Sequence, residues 1–141
     1  MIPTDGIVML RPSTAADGPA IVAAWDEVSE RFLGPGEPDP RPAFCIVVGD
    51  VVVSWVDHDV DRTWLLPGQV NIGYQVFPEH RGHGYGTRAV RLLLEQLARA
   101  GVTAATFLIH PDNERSLALV ERLGIPRVPD LDGLPYFSLD L

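Results

Sequence analysis

The stretch Gln69–Ala100, reading QVNIGYQVFPEHRGHGYGTRAVRLLLEQLARA, changes its period half way along, and that change constrains the fold more than any other feature of the chain. Its first part alternates strictly. Val70, Ile72, Tyr74 and Val76 fall on one side and Asn71, Gly73, Gln75 and Phe77 on the other, as a half-buried strand requires. Pro78 stops the strand. Its last part repeats at helical spacing, with Val90, Leu93, Leu94 and Leu97 on one stripe and Arg88, Arg91, Glu95 and Arg99 on another, and Gly101 closes the helix. A strand feeding a helix through a short glycine-rich loop is the unit around which the rest must pack.

That loop, Arg81-Gly82-His83-Gly84-Tyr85-Gly86-Thr87, places glycine at alternate positions, which permits a tight turn and lets a bulky group approach bare N–H donors. A loop of this kind at the head of a helix is an anion site, because the first-turn amides lack intrahelical partners and the helix dipole favours negative charge there. Phosphate is the natural guest. Arg81, Arg88 and Arg91, with His80 and His83, face one nearby acid, Glu79, in a chain whose net charge is −8. A P-loop would need Gly-Lys-Ser/Thr, and the chain contains no lysine; a dinucleotide fingerprint needs G-x-G-x-x-G, whereas these glycines run G-x-G-x-G.

Arg81-x-x-Gly84-x-Gly86, following a strand that ends in Val-x-Pro and preceding an amphipathic helix, resembles motif A of the GNAT superfamily of N-acetyltransferases. The fuller string from Ile72-Gly73-Tyr74 through Gly84-Tyr85-Gly86 to Ala89-Val90 is similar to the branch containing ribosomal-protein alanine acetyltransferases. The resemblance implies acetyl-coenzyme A as cofactor. Its diphosphate would be gripped by Arg81, Gly82, His83, Gly84, Tyr85, Gly86 and Thr87. Backbone groups of Val76 and Phe77 would bond the pantetheine arm, and one of those N–H groups would face the thioester oxygen. No metal is required.

At 141 residues the whole chain, 1–141, reads as a single domain able to bury roughly two-thirds of its unfolded surface. The single cysteine, Cys45, forbids an internal disulfide and suits a reducing compartment. The start MIPTDGIVML lacks the basic and long apolar regions of a signal peptide, and no run approaches membrane-span length. A cytoplasmic protein without a membrane partner is expected. The negative net charge argues against nucleic acid.

Along the chain, Ile7–Arg11 predicts a first strand ended by Pro12. Thr14 to Asp17 resembles a capping box, after which Ile21, Trp25, Val28 and Phe32 predict one helix of about four turns. From Leu33 to Ala43, Pro35, Pro38, Pro40 and Pro42 with Gly34 and Gly36 predict a stiff loop or single turn. Phe44–Val48 and Val51–Val56 read as a hairpin through Gly49-Asp50, running into an acidic turn at Asp57–Arg62. Ala104–Ile109 reads as a buried strand. Asp112 or Asn113 caps a helix with Leu117, Val120 and Leu123 on its apolar side. A last strand alternates Phe137, Leu139 and Leu141 against Tyr136, Ser138 and Asp140, pairing within the chain or across a dimer. The order β-α-β-β-β-α-β-α-β gives an α/β class, a mixed sheet flanked by helices.

An attacking amine must be neutral, so a base must take its proton. The similar branch commonly carries Glu where this chain has Asn71, which can orient a water; Glu30, Asp57, His58 and Glu79 are the other candidates for that relay. Where many such enzymes have a Tyr to protonate the leaving thiolate, this chain has Val120. The pattern Asn113-x-x-Ser116 is similar to that same branch and implies Ser116 as proton donor and Asn113 as pantetheine ligand, although capping a helix would also account for Asn113. Three functions are open: an acetyltransferase acting on a small amine or a peptide amino terminus, as monomer or homodimer; a non-catalytic acyl-coenzyme A sensor; or a structural domain with a vestigial loop. The acids at 57–61, Glu27 and Glu30 point to a cationic acceptor.

Overall fold

A computed structural model describes residues 2–34 and 38–141. Among them seven strands form one mixed sheet in the order β1-β2-β3-β4-β5-β7-β6, with β1 Met9–Pro12, β2 Phe44–Val48, β3 Val51–Asp59, β4 Gln69–Val76, β5 Ala104–Leu108, β6 Arg127–Leu131 and β7 Leu134–Asp140. The helices are α1 Gly18–Ala23, α2 Glu27–Leu33, α3 Tyr85–Arg99 and α4 Glu114–Arg122. The expected α/β class stands, with one more strand and one more helix than the sequence pattern gave. No helix among the described residues is long and apolar enough to cross a membrane.

The chain divides into two compact units. The first comprises the chain up to Asp57 together with Tyr74–Leu93. Here β1 pairs antiparallel with β2, and β2 with β3 through the Gly49-Asp50 turn, as the hairpin pattern predicts. β3 extends beyond its expected end, so the acids at Asp57 and Asp59 lie in a strand and not in a turn. Asp57 is held there because its carboxylate accepts the Ala43 N–H at 3.2 Å. Ile21, Cys45 and Phe77 form a buried cluster against which Ala24, Val52 and Trp55 pack. Burial, with the Asp17 charge beside it, pushes the Cys45 thiol up to about 11, so it is an inert core residue.

The single four-turn helix expected after Thr14 is instead a short 3-10 turn at Ala15–Asp17 followed by α1 and α2. The stripe breaks where Asp26 turns extended (φ −121°, ψ −175°) and its side chain accepts the Ser29 N–H at 2.9 Å, restarting the helix with a new cap. Val28, placed on the apolar stripe by its spacing, is therefore 44% exposed. Leu33 ends α2, and Pro38–Ala43 carries no helix; Pro35 and Gly36 lie outside the described residues.

The second unit comprises His58–Gly73 and Leu94–Leu141. β5 receives the start of β4 in parallel, Gln69–Asn71 against Ala104–Thr106, and β7 antiparallel on its other edge. β7 also pairs along its first half with β6, so the last strand pairs within the chain on both edges. The β6–β7 hairpin turns at Asp132 and Gly133, both with positive φ (51° and 78°), as a two-residue Asp-Gly turn demands. α4 buries Leu119 and Val120, whereas Leu117 and Leu123 are only partly covered, a rotation of the expected face.

Candidate functional site

β4 keeps the expected alternation only at first. Val70 and Ile72 are buried, but from Gly73 the phase reverses, and Gln75 and Phe77 become the buried residues, each 4% exposed, while Tyr74 and Val76 are partly open. Phe77 thus gives its side chain to the core. Its N–H donates to Val53 carbonyl at 2.9 Å and its carbonyl accepts from His80 N–H at 2.9 Å, so both backbone groups are paired within the protein.

A 3-10 turn at Pro78–His80 comes next, and the loop then runs into α3. Gly82 and Gly84 take φ of +85° and +78°. A Cβ built on either would meet nothing within 4 Å, so the backbone here presents an open face. The Gly84 carbonyl accepts the Arg88 N–H at 3.2 Å, which makes Gly84 the helix cap and puts the amides of Tyr85 and Gly86 ahead of the first intrahelical bond. His83 donates from Nδ1 to the His80 carbonyl at 3.1 Å, and its ring stacks on Tyr85 with centroids 5.3 Å apart. Gly86 and Thr87 are buried at the foot of the helix.

Two of the loop's cations are matched by acids distant in sequence. Arg88 pairs with Asp5 at 2.7 Å. Arg81 donates from Nη1 and Nη2 to the two carboxylate oxygens of Asp26, at 2.9 and 3.3 Å, and from Nε to the Val76 carbonyl at 3.1 Å. Its guanidinium is therefore committed to the protein. Asp26 continues into a polar chain: Ser29 Oγ donates to it at 2.8 Å, Gln75 Nε2 donates to Ser29 Oγ at 2.7 Å and to the Ala24 carbonyl at 2.9 Å, and Trp55 Nε1 donates to Gln75 Oε1 at 2.9 Å. Ser54 Oγ adds a bond to the Gln75 carbonyl at 2.7 Å. None of Asp26, Ser29, Trp55 or Gln75 stands out in the sequence; the one readable sign was Asp26-x-x-Ser29, a cap pattern inside a helical stripe.

The hydrogen bonds from Arg81 hold the Asp26 carboxyl well below the usual carboxylate range, against the opposing effect of burial. Asp17 is lowered in the same way by Arg11, 2.8 Å away. A carboxyl depressed in the folded state is protonated first in the unfolded chain. Stability is thus complete above about pH 5 and falls as pH drops below it towards the folded-state values. Urea midpoints between pH 6 and 3 should fall accordingly, and Asp26→Asn should flatten part of that slope; an unchanged slope would refute the ion pair's contribution.

In the second unit, Asn71 Oδ1 and the Val70 carbonyl share the hydroxyl proton of buried Thr106, at 3.1 and 3.2 Å. Asn113 caps α4, its Oδ1 accepting the Ser116 N–H at 3.2 Å. Val120 lies in the core. Of the other relay candidates, Glu79 is a 70% exposed turn residue 3.9 Å from His80, Glu30 is exposed, and Asp57 bonds to Ala43 as above. His58 lies within β3.

The chain is similar to known proteins in sequence and in fold. Over 63 residues, 45% of the chain, it is 39% identical to L-2,4-diaminobutyric acid acetyltransferase of Nocardia farcinica, and the match spans 33% of that relative's length. Among solved structures it resembles RimJ of Mycobacterium smegmatis in complex with CoA-disulfide (17% identity, 99% of this chain and 84% of that one, TM-score 0.75). It also resembles a GNAT-family acetyltransferase from Bacillus anthracis (14% identity, 99% and 98%, TM-score 0.79). A third is yncA of Salmonella typhimurium with its cofactor acetyl-CoA (18% identity, 96% and 94%, TM-score 0.77). These likenesses share the fold. The family profile of the acetyltransferase (GNAT) domain matches residues 37–125, well over half of the chain, and the protein therefore belongs to the GNAT acetyltransferase family.

Proposed function

We propose that the protein transfers an acetyl group from acetyl-coenzyme A to a primary amine by direct attack within a ternary complex. The observation that carries this reading is the open backbone at Gly82 and Gly84, set at the head of α3 in a chain of this family. Diphosphate oxygens would accept from the amides of the Gly82–Thr87 loop, where the dipole of a fifteen-residue helix favours negative charge. With the Phe77 N–H taken by Val53, strand alternation turns the Val76 N–H to the other edge of β4. That N–H is the donor we assign to the thioester oxygen. A preorganised donor there is worth about 3 to 4 kcal/mol as charge develops on the oxygen.

In the reaction the amine lone pair attacks the thioester carbon, the tetrahedral oxyanion collapses, and the C–S bond breaks as the amide forms. The amine proton leaves through water. Asn71 would orient that water by donating from its amide, since its carbonyl already shares the Thr106 proton. The thiolate takes its proton from Ser116, which regains one from water as it gives it up. Holding amine and thioester together makes the step effectively unimolecular. Ser116→Ala should lower kcat about tenfold or more with little change in coenzyme affinity; equal kcat would leave Ser116 as a first-turn helix residue.

The panel of acceptors should begin with L-2,4-diaminobutyrate, after the relative that carries its name, and extend to peptides with free amino termini. Amine-dependent release of free thiol from acetyl-coenzyme A is the expected result. A second reading, an acyl-coenzyme A sensor, draws on the absence of a carboxylate at Asn71 and of a hydroxyl at buried Val120; it predicts binding without thiol release. No binding by calorimetry would reject both.

A further inference from the structure

We infer that Asp26 is a positioning residue for the coenzyme. Acting through Arg81, it fixes the loop whose amides are to meet the diphosphate. This rests on the proposed coenzyme site and adds a residue that carries no family motif.

The geometry supports it in three ways. First, Arg81 is bound at both ends of its guanidinium, by the paired oxygens of Asp26 and by the Val76 carbonyl, so it spans from the last residue of β4 to the start of α2. A planar fork held bidentately fixes orientation as well as distance. Second, Asp26 is itself fixed. It caps α2 through the Ser29 N–H, accepts from Ser29 Oγ, and through Ser29 is tied to Gln75 in the strand that leads to the loop. Third, the chain beyond Arg81 takes positive φ at Gly82 and again at Gly84, where a Cβ would meet nothing within 4 Å. Arg81 is the last anchored residue before that run. Anchoring it removes conformations that coenzyme binding would otherwise have to exclude.

A directly ligating Arg81 predicts the opposite response. Asp26→Asn keeps the size of the side chain and an oxygen for the Ser29 N–H, but removes the charge that holds the guanidinium. If Arg81 acts by anchoring, the loop loosens: the Kd for coenzyme A and the KM for acetyl-coenzyme A rise about tenfold, while kcat at saturation stays unchanged. If Arg81 is a ligand restrained by Asp26, freeing it tightens coenzyme binding.

The test is calorimetry with coenzyme A on the full chain and on Asp26→Asn, Arg81→Gln and the double variant, at a temperature at which circular dichroism shows all four folded. The expected result is a similar weakening in each single variant and little further loss in the double, because both break one connection. Three outcomes would overturn the inference: tighter binding by Asp26→Asn, additive losses, or a lowered melting temperature with Kd unchanged, which would make Asp26 structural only. Failure of the natural chain to bind coenzyme A would instead reject the proposed function.

Discussion

Gly84→Asp is expected to reduce coenzyme A affinity more than a hundredfold while leaving a folded protein. Two effects combine at this position. The residue sits at φ +78°, where a Cβ costs about 1 to 2 kcal/mol, although aspartate is among the residues that tolerate it best. That cost falls on folding. The larger effect falls on binding: the added carboxylate would project into the open space over the loop, where the diphosphate is proposed to lie. Two unit charges about 4 Å apart repel by about 4 kcal/mol at an effective dielectric near 20, and even after partial solvent screening about 3 kcal/mol remains. That corresponds to roughly two orders of magnitude in Kd. Gly84→Ala carries the backbone cost without the charge, and its Cβ meets no atom within 4 Å, so it should bind within a few-fold of the natural protein. Titration calorimetry for affinity and thermal melts for the fold separate the two effects. Natural affinity in Gly84→Asp would place the coenzyme elsewhere.

The elements that decide this prediction were legible because their causes are local. A period of two, a glycine-punctuated loop and a helical period succeed one another in β4 and α3, and the four residues placed on the helix's apolar stripe are all buried. The β2–β3 hairpin and the cap of α4 at Asn113 were equally local. What the pattern missed depends on distant partners. Nothing near Asp26 says that a guanidinium 55 positions away will favour its extended, capping conformation over one more turn of helix. Gln75 occupies a position that alternation assigns to the polar side, and its burial makes sense only with Ala24, Ser29 and Trp55 at hand. The loop's apparent positive charge was a count of neighbours in sequence, which Asp5 and Asp26 offset in space at Arg88 and Arg81. β6 is a different kind of miss. Asp132-Gly133 was a readable hairpin turn, but Pro129 argues against a strand before it. The structure accommodates that proline where the β6–β7 register shifts, between Val128 and Leu131.

The largest loss of stability should come from Gln75. Its side chain uses three of its bonding positions on Trp55, Ala24 and Ser29, in a residue 4% exposed. Gln75→Leu keeps comparable bulk but strands the Trp55 indole N–H and the Ala24 carbonyl and removes the donor from Ser29, itself 2% exposed. Each buried polar group left without a partner costs about 1 to 3 kcal/mol, so a loss of about 3 to 5 kcal/mol is expected, a large fraction of a typical domain's stability. Gln75→Glu tests the direction of the hydrogen bonds at nearly constant shape. Its carboxylate has no hydrogen to offer the Ala24 carbonyl or Ser29, and it would lie beside the chain that leads to Asp26. Folding should therefore raise the pKa of the new carboxyl above its unfolded value. A group raised in this way stabilises the fold while protonated and loses that contribution as pH rises through the folded value. Relative to the natural protein, the penalty of Gln75→Glu should thus be small near pH 4 and grow towards pH 7, opposite in sign to the acid weakening that Asp26 and Asp17 impose. Urea unfolding of both proteins at each pH measures the difference. A penalty independent of pH, or a Gln75→Leu variant within 1 kcal/mol of the natural protein, would show that the network is dispensable to the fold.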